Sequence, residues 1–570
     1  MPILSLVNSG KSGDKLTVTT GAKKIFQAVF WDQSRSDIEE DAPKLRVSDM
    51  ISKMAFYYEK VRNAVDYREE SLLRKEAISR MLKRQVIIEG AWTARQELDP
   101  TRISKTLLIE LIRAGYLPNN KLPEDKIGEV AVILHKYLML RATILQRLET
   151  GSQSINFNVA KQKEDLDDKG ELNGWIVGLA SAEIEENLSL SEATDTTVAV
   201  MYDMLAKAVK LPADLPYERD LSIQIYLGIF RNYLKLNDYH ILSYVLFKYF
   251  NEDWTNPTDE TINRIADRLD ELKNAIDLQI EHPLTAQLNR VVHQYTVYFT
   301  VLKDVIEKNP KAAYEELNRD AGGFMRQVRA DIDARCAQAK KKLWGNAVRS
   351  IIYIFATKSV LVIIMEIPLI QFFGEVVNYS ALAINIAFPA LVLFVSVALT
   401  RLPGEANTKK VMAGVEEIVF VEKARKQPIV LRGVERRGAI ISAIFNILYA
   451  ATFFLSFGLV IWALYKIHFS WVSMVIFVFF LAFVSFFVIR VRRGPKYWVV
   501  VEPRENIFTF LWSFVSVPVI AAGKWLSGKF QRLNFIAFFL DFIIETPFKV
   551  LITVAEEWTK YMKERRDSIT

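Results

Sequence analysis

Two ionisable side chains, Lys358 and Glu366, stand inside the otherwise apolar stretch Ile351–Phe373 and are the residues best placed to do chemistry. A charge at the centre of a membrane helix costs roughly 2.5–3.5 kcal/mol on insertion scales, and such residues often serve ion or proton paths. Their separation turns through about 80° of helix, so they share one side of it. A proton or ion path could use them. A structural role competes with that reading. Lys358 lies two turns from the basic end of the stretch, and its long stem can carry the ammonium to the interface. Glu366 can pair with another segment, or sit near the far end where Pro368 bends the helix. The structural role is favoured, because only this segment carries ionisable residues and transport paths draw on several.

The other candidates are weaker. Ser5-Leu6-Val7-Asn8-Ser9-Gly10-Lys11-Ser12 matches the end of a phosphate-binding loop, but Ser5 stands where the first glycine belongs. No strand–loop–helix pattern surrounds it, so it reads as chance. His135, His240, His282, His293 and His468 show no metal-ligand spacing. Glu164, Asp165, Asp167 and Asp168 lack the glycine and spaced ligands of a calcium loop and read as a solvated charge run. The single cysteine, Cys336, excludes an internal disulfide and a thiolate metal cage, and suits a reducing cytoplasm. Aromatic residues crowd Ile223–Phe250. Core packing accounts for most of them, with an aromatic partner-binding groove as the alternative. No catalytic constellation, cofactor site or metal site is expected, and the chain does not read as an enzyme.

These residues must be positioned by long apolar elements. Ala381–Leu399 runs 19 residues without a charge, Ala439–Tyr465 runs 27, and Phe469–Ile489 runs 21. About 20 apolar residues of helix cross a bilayer core. With Ile351–Phe373 they predict four spans in two hairpins. Ile3–Val7 is too short for a signal-peptide core, so Ile351–Phe373 is expected to act as an internal signal anchor. The loop from Thr400 to Gly438 carries nine Lys/Arg against five Asp/Glu, and Arg490, Arg492, Arg493 and Lys496 follow the last run. The positive-inside rule then puts these flanks, and both chain ends, in the cytoplasm. Residues 346–570 hold 25 of the 73 basic and 15 of the 66 acidic side chains, a net of +10, leaving −3 for the remainder. Basic charge therefore gathers beside the membrane runs, which speaks against a nucleic-acid partner.

The fold class read from this pattern is all-α: a large N-terminal helical soluble domain, then a multi-pass helical membrane domain with C-terminal amphipathic helices. Residues 1–45 lack a clear period and read as a mobile N-terminal arm. Residues 46–345 form a cytosolic α-helical domain, with Gly151–Gly174 as a polar loop. Residues 346–400 form the first transmembrane hairpin, 401–438 a basic cytoplasmic loop, and 439–491 the second hairpin. Residues 492–570 are expected as interfacial amphipathic helices on the cytoplasmic face, since spanning by Ile507–Ala522 would place Lys524, Lys529 and Arg532 outside; a third spanning hairpin is the alternative.

The strings Arg349-Ser-Ile-Ile-Tyr-Ile-Phe and Leu540-Asp-Phe-Ile-Ile-Glu-Thr-Pro-Phe-Lys549, with Glu556-Glu557-Trp558, resemble those of uncharacterised multi-pass membrane proteins of reduced-genome bacteria. The resemblance spans most of the chain and implies a bacterial cytoplasmic membrane, with no activity or site residue to carry over. The expected function is a membrane-anchored module whose helical domain binds or scaffolds a protein partner, with the lipid bilayer as the other partner. The alternative is a small channel or transporter using Lys358 and Glu366. The residue pattern sets neither the partner nor the oligomeric state.

Overall fold

In a computed structural model, every residue is described except 1–15, 39–42, 48–51, 54, 58, 61–71, 87–97, 153–158, 190, 214, 401, 433–438, 502–513, 515, 527–553, 555–556, 559–560, 563–564 and 567–570. The described residues are all-α, save two strands of two residues each. The chain forms two compact units. One comprises Thr20–Thr296, Arg425–Gly433 and Phe535–Thr570; the other comprises Met1–Thr19, Val297–Ala424 and Val434–Asn534.

The first unit is a helical array. Helix α1 (Thr20–Ile38) packs along α6 (Glu192–Ala208) through Ala22, Ile25, Phe26 and Val29, all buried. A helix with a buried face thus occupies residues 20–38 of the segment where an arm was expected. Helices α2 (Leu73–Arg84), α3 (Pro100–Arg113), α4 (Lys126–Ser152) and α5 (Val159–Ser189) share one apolar core with α7 (Glu218–Asn232), α8 (Tyr239–Phe250), α9 (Asp259–Asp267) and α10 (Leu269–Ile280). Its centre holds Leu107, Leu111, Leu140, Leu179, Ile184 and Phe247.

Helix starts follow local sequence in this unit. Asp99 accepts from Thr101 N ahead of Pro100, and Ser191 accepts from Thr194 N. Such caps satisfy amides that the first turn leaves open. The polar stretch expected as a loop, Gly151–Gly174, is instead helical from Val159 onward, because α5 continues into the buried Trp175–Ala180 face. The side chains of Glu164, Asp165, Asp167 and Asp168 lie outside the described residues.

Strand β1 (Val209–Lys210) pairs in parallel with β2 (Ile429–Val430), Val209 opposite Ile429. Gln287 fixes the return by exchanging bonds with Arg432, its amide donating to the carbonyl and its oxygen accepting from the amide N–H. Helix α11 (Thr285–Lys308) contains the division between the units.

Gly178 of α5 is a close-approach position. A Cβ there would lie 2.0 Å from His240 Cδ2. We expect Gly178→Ala to cost about 1–3 kcal/mol through overpacking. Faster hydrogen exchange over α5 and α8 would report it, and His240→Ala in the same chain should relieve it. Unchanged exchange in the single variant would refute the close approach.

The second unit is built on α13 (Ala321–Leu361), a helix of 41 residues. It continues without a break through the π-helical turn Val362–Glu366 into α14 (Ile367–Phe372). The first apolar segment is therefore the end of one long helix that begins at Ala321. Helix α12 (Pro310–Arg319) precedes it; α15 (Tyr379–Ala398), α16 (Glu405–Val419), α17 (Ala439–Lys466) and α18 (Trp471–Tyr497) follow. Among the described residues, four helices are long and apolar enough to cross a membrane: Ala321–Phe372, Tyr379–Ala398, Ile440–Lys466 and Trp471–Arg492.

α13, α15 and α18 pack against one another, and α17 lies on α18. One layer joins Leu343, Leu393, Val397, Val484 and Val488; another joins Val362, Ile370, Leu382 and Val472. These pairings make α13 antiparallel to α15 and α18. They bring the basic ends, at Lys340–Lys342 and Arg490, to one side of the unit.

The basic loop of residues 401–438 contains α16, which buries Val411, Val415 and Ile418. Its apolar face gives it a packing partner that a solvated loop would lack. Of the C-terminal stretch placed at the interface, residues 516–526 are helical. A Cβ on Gly523 would lie 2.0 Å from the carbonyl oxygen of Ala482. Ala482 is the middle of the fourth apolar helix, so this stretch packs on that helix at mid-length. The stretch from Asp541 to Lys549 lies outside the described residues.

Candidate functional site

Lys358 and Glu366 are both fully buried, and they meet. Lys358 Nζ lies 3.8 Å from Glu366 Oε2. At that distance the attraction is on the order of 4 kcal/mol for an effective dielectric of about 20. Glu366 Oε1 accepts from Asn385 Nδ2 at 2.6 Å and from Ser473 Oγ at 2.6 Å. The Lys358 ammonium also lies 4.0 Å from the Phe480 ring centroid, a cation–π contact. Four polar groups from three helices thus converge beside the apolar layer of Val362, Ile370, Leu382 and Val472, where residue types alone showed only two on one helix.

Local backbone explains the placement. The π turn adds a residue to the helical repeat and ends on Glu366. Pro368 follows and has no N–H for the carbonyl four residues before it. Pro389 sits inside α15 and likewise frees the carbonyl of Asn385. Two helices therefore have interrupted hydrogen-bond ladders at the same node. Ser473 is placed by the start of α18, where its amide donates to the capping Ser470 Oγ at 3.0 Å. Lys358 Nζ, Glu366 Oε2 and Asn385 Oδ1 are buried without a hydrogen bond.

Sequence reading missed Asn385, Ser473 and Phe480. The usable signal was Asn385, an amide in an apolar run four residues before a proline. The loop-like string Ser5–Ser12 lies outside the described residues. Among the described residues no group of three or more His, Cys, Asp or Glu could hold a metal.

The helical unit holds a second constellation that sequence reading did not assemble. A cleft of about 430 Å³ is lined by α4, α5, α6, α7 and α8 and by the turn Glu252–Thr255. Its floor is a closed network. Lys136 Nζ donates to Glu183 Oε1 at 2.5 Å and to the Trp254 carbonyl at 3.1 Å. Tyr137 Oη donates to Glu183 Oε2 at 2.8 Å, and Trp254 Nε1 reaches the same oxygen at 3.3 Å.

Nearer the opening, Glu186 Oε2 accepts from Tyr244 Oη and, at 3.2 Å, from Lys248 Nζ. Asp195 lies across the α5–α6 turn. Burial and then the Glu186 carboxylate raise its carboxyl above the usual range. Burial, then Glu186 and Asp195, push the Tyr226 phenol up to about 12. Burial and Glu186 raise Tyr244 as well. Both phenols therefore stay protonated at neutral pH, facing carboxylates. Tyr226 and Tyr244 belong to the aromatic-rich stretch noted in the sequence; of its other rings, Phe230 and Phe247 are buried in the core, Tyr233 is half-buried, and Tyr239, Tyr249 and Phe250 are exposed.

No protein-family model, curated protein or solved structure matches this chain.

Proposed function

We propose that the protein is a multi-pass integral membrane protein whose helical unit binds a protein partner and whose apolar helices anchor it. The observation that carries this reading is the closure of the intramembrane charges. Lys358 and Glu366 face each other and neighbouring helices, and neither faces lipid. The pair lies on one continuous helix, and the bonds that Glu366 accepts from Asn385 and Ser473 fix which helices meet and in what register, a use for which buried polar groups are best attested. Exposed aromatic side chains on the helical unit, Trp31, Tyr249 and Phe250, support a partner surface. On the resemblance to membrane proteins of reduced-genome bacteria and the shared side of the basic ends, the location is a bacterial cytoplasmic membrane with both chain ends inside.

Photo-crosslinkers at Tyr249 and Phe250 of the full chain, in native membranes, test the binding role. The same partner should be recovered from independent preparations. Scattered products that differ between preparations would refute it.

A second reading, a small channel or transporter, is favoured by one observation. The node lies where two helices have interrupted ladders, and discontinuous helices commonly form solute sites in transporters. Reconstituted liposomes distinguish the two. The anchor reading expects proton and monovalent-cation permeability equal to that of empty liposomes, in wild type and in Lys358→Met alike. A flux present in wild type and abolished by Lys358→Met or Glu366→Gln would establish the second reading instead.

A further inference from the structure

The cleft in the helical unit carries more negative than positive charge, and its rings are already used to hold ammonium groups. Three carboxylates line it, Glu183, Glu186 and Asp195, against two lysines, Lys136 and Lys248. Lys136 and Glu183 neutralise each other in the floor at 2.5 Å. Lys248 is half exposed and serves Glu186 at the rim. One carboxylate of the Glu186–Asp195 pair is then left without a cation. Both hydrogen bonds made by Glu186 fall on Oε2, so Oε1 carries neither.

The aromatic walls suit the same charge. Lys136 Nζ lies 5.2 Å from the Trp254 ring centroid, and Lys248 Nζ lies 5.7 Å from that of Tyr244. Ring faces attract ammonium groups at such distances. Tyr226 lines the same cleft and is partly exposed, its ring packed against Tyr202 and Phe230. The volume falls within the range of roughly 300–1,000 Å³ typical of small-ligand sites. An anion entering here would meet uncompensated carboxylate, which excludes phosphate and carboxylate ligands.

We propose that this cleft binds the ammonium group of a ligand between Glu186 and Asp195, against the Tyr226 ring. The ligand chemistry is a primary amine on an alkyl chain, supplied by a lysine side chain of a protein partner or by a free polyamine. The inference rests on the helical unit being the binding part of the protein, and it names what that part recognises.

Calorimetric titration of the full chain in nanodiscs tests it, at 150 mM salt to suppress loose surface pairing. The probes are spermidine, an N-acetylated lysine-containing tetrapeptide, and the same peptide with its lysine acetylated. At least one amine probe should bind, while the acetylated peptide does not. Tight spermidine binding assigns a free polyamine, and tight peptide binding assigns a partner's lysine. Asp195→Asn and Glu186→Gln should each weaken binding at least tenfold. Asp267→Asn, on a carboxylate paired with Arg147 elsewhere, should leave it unchanged. Tyr226→Leu, which keeps the charges, should also weaken it.

Absence of binding by both amine probes to wild type overturns the proposal, as does equal binding by Asp195→Asn and Glu186→Gln. Reproducible crosslinked partner recovery from a wild type that binds neither amine probe would sink the cleft proposal alone. Loss of reproducible partner recovery in wild type would sink the wider reading of the helical unit.

Discussion

Lys358→Met is expected to destabilise the apolar-helix unit by about 3 kcal/mol, and Glu366→Gln by a similar amount. Each change strands one charge in a place where neither water nor lipid headgroup can reach it, since both side chains are fully buried. Glu366 would keep the bonds from Asn385 and Ser473, but these hydrogen bonds do not supply a counter-charge. Lys358 would keep only the Phe480 ring face. The double variant Lys358→Met/Glu366→Gln removes both charges and should cost under about 1 kcal/mol, because a buried ion pair replaced as a unit is often nearly neutral. A double-mutant cycle on denaturant unfolding in bicelles reads the coupling directly. Additive losses, with the double variant worst, would mean that the two side chains do not stabilise one another.

In the helical unit the corresponding effect falls on Lys75. Its side chain is 1 % exposed and its Nζ lies 2.6 Å from Asp238 Oδ1. It also reaches Glu76 at 3.3 Å and His240 Nδ1 at 3.5 Å. Asp238 in turn caps α8, accepting from His240 N at 3.0 Å and Ile241 N at 3.3 Å. Lys75→Met should therefore cost about 3 kcal/mol, the low end for breaking a buried pair, because the cap still compensates part of the stranded carboxylate. Hydrogen exchange over residues 73–84 and 239–250 would measure it. Protection equal to wild type would show that the pair contributes nothing.

The same cluster sets a pH dependence. Burial and then the Lys75 ammonium hold the His240 imidazole down, from 6.5 to about 4. The unfolded chain then binds the His240 proton first as pH falls, so stability from this group is full above about 6.5 and is lost on the way down to about 4. Against the burial that would raise it, the Lys75 ammonium keeps the Asp238 carboxyl below its usual 3.8. That contribution is present above the unfolded value and is lost only in stronger acid, as pH falls through the folded value. Protection of α8 should thus decline between pH 6.5 and 4, and His240→Gln should flatten that decline. A decline of equal slope in His240→Gln would assign it to another group.

How much was legible in the residues follows from the range of the forces involved. The four apolar helices could be read because hydrophobic length is a local property, summed along consecutive residues. The helical character of the described residues between 46 and 345 was legible for the same reason, through period and punctuation. Helix α1 was not, because its burial depends on α6, more than 150 residues away. The polar start of α5 was misread because composition suggested a loop, while continuity with a buried helix face decided the outcome. In α16 a basic, mixed sequence concealed an apolar stripe whose partner is supplied only by the fold.

The site divides along the same line. Lys358 and Glu366 stand out because a charge within an apolar run is costly wherever the run folds. The sequence by itself determined an all-α chain, the four apolar helices and the two residues that must be neutralised. Tertiary structure decided how they are neutralised: it brought Asn385, 19 positions away, and Ser473, 107 positions away, onto one carboxylate oxygen. It also gathered Glu186, Asp195 and Tyr226 from three helices into one cleft. Hydrophobic length is additive along the chain, whereas hydrogen bonds and charge pairs act over a few ångströms between atoms whose proximity only packing creates.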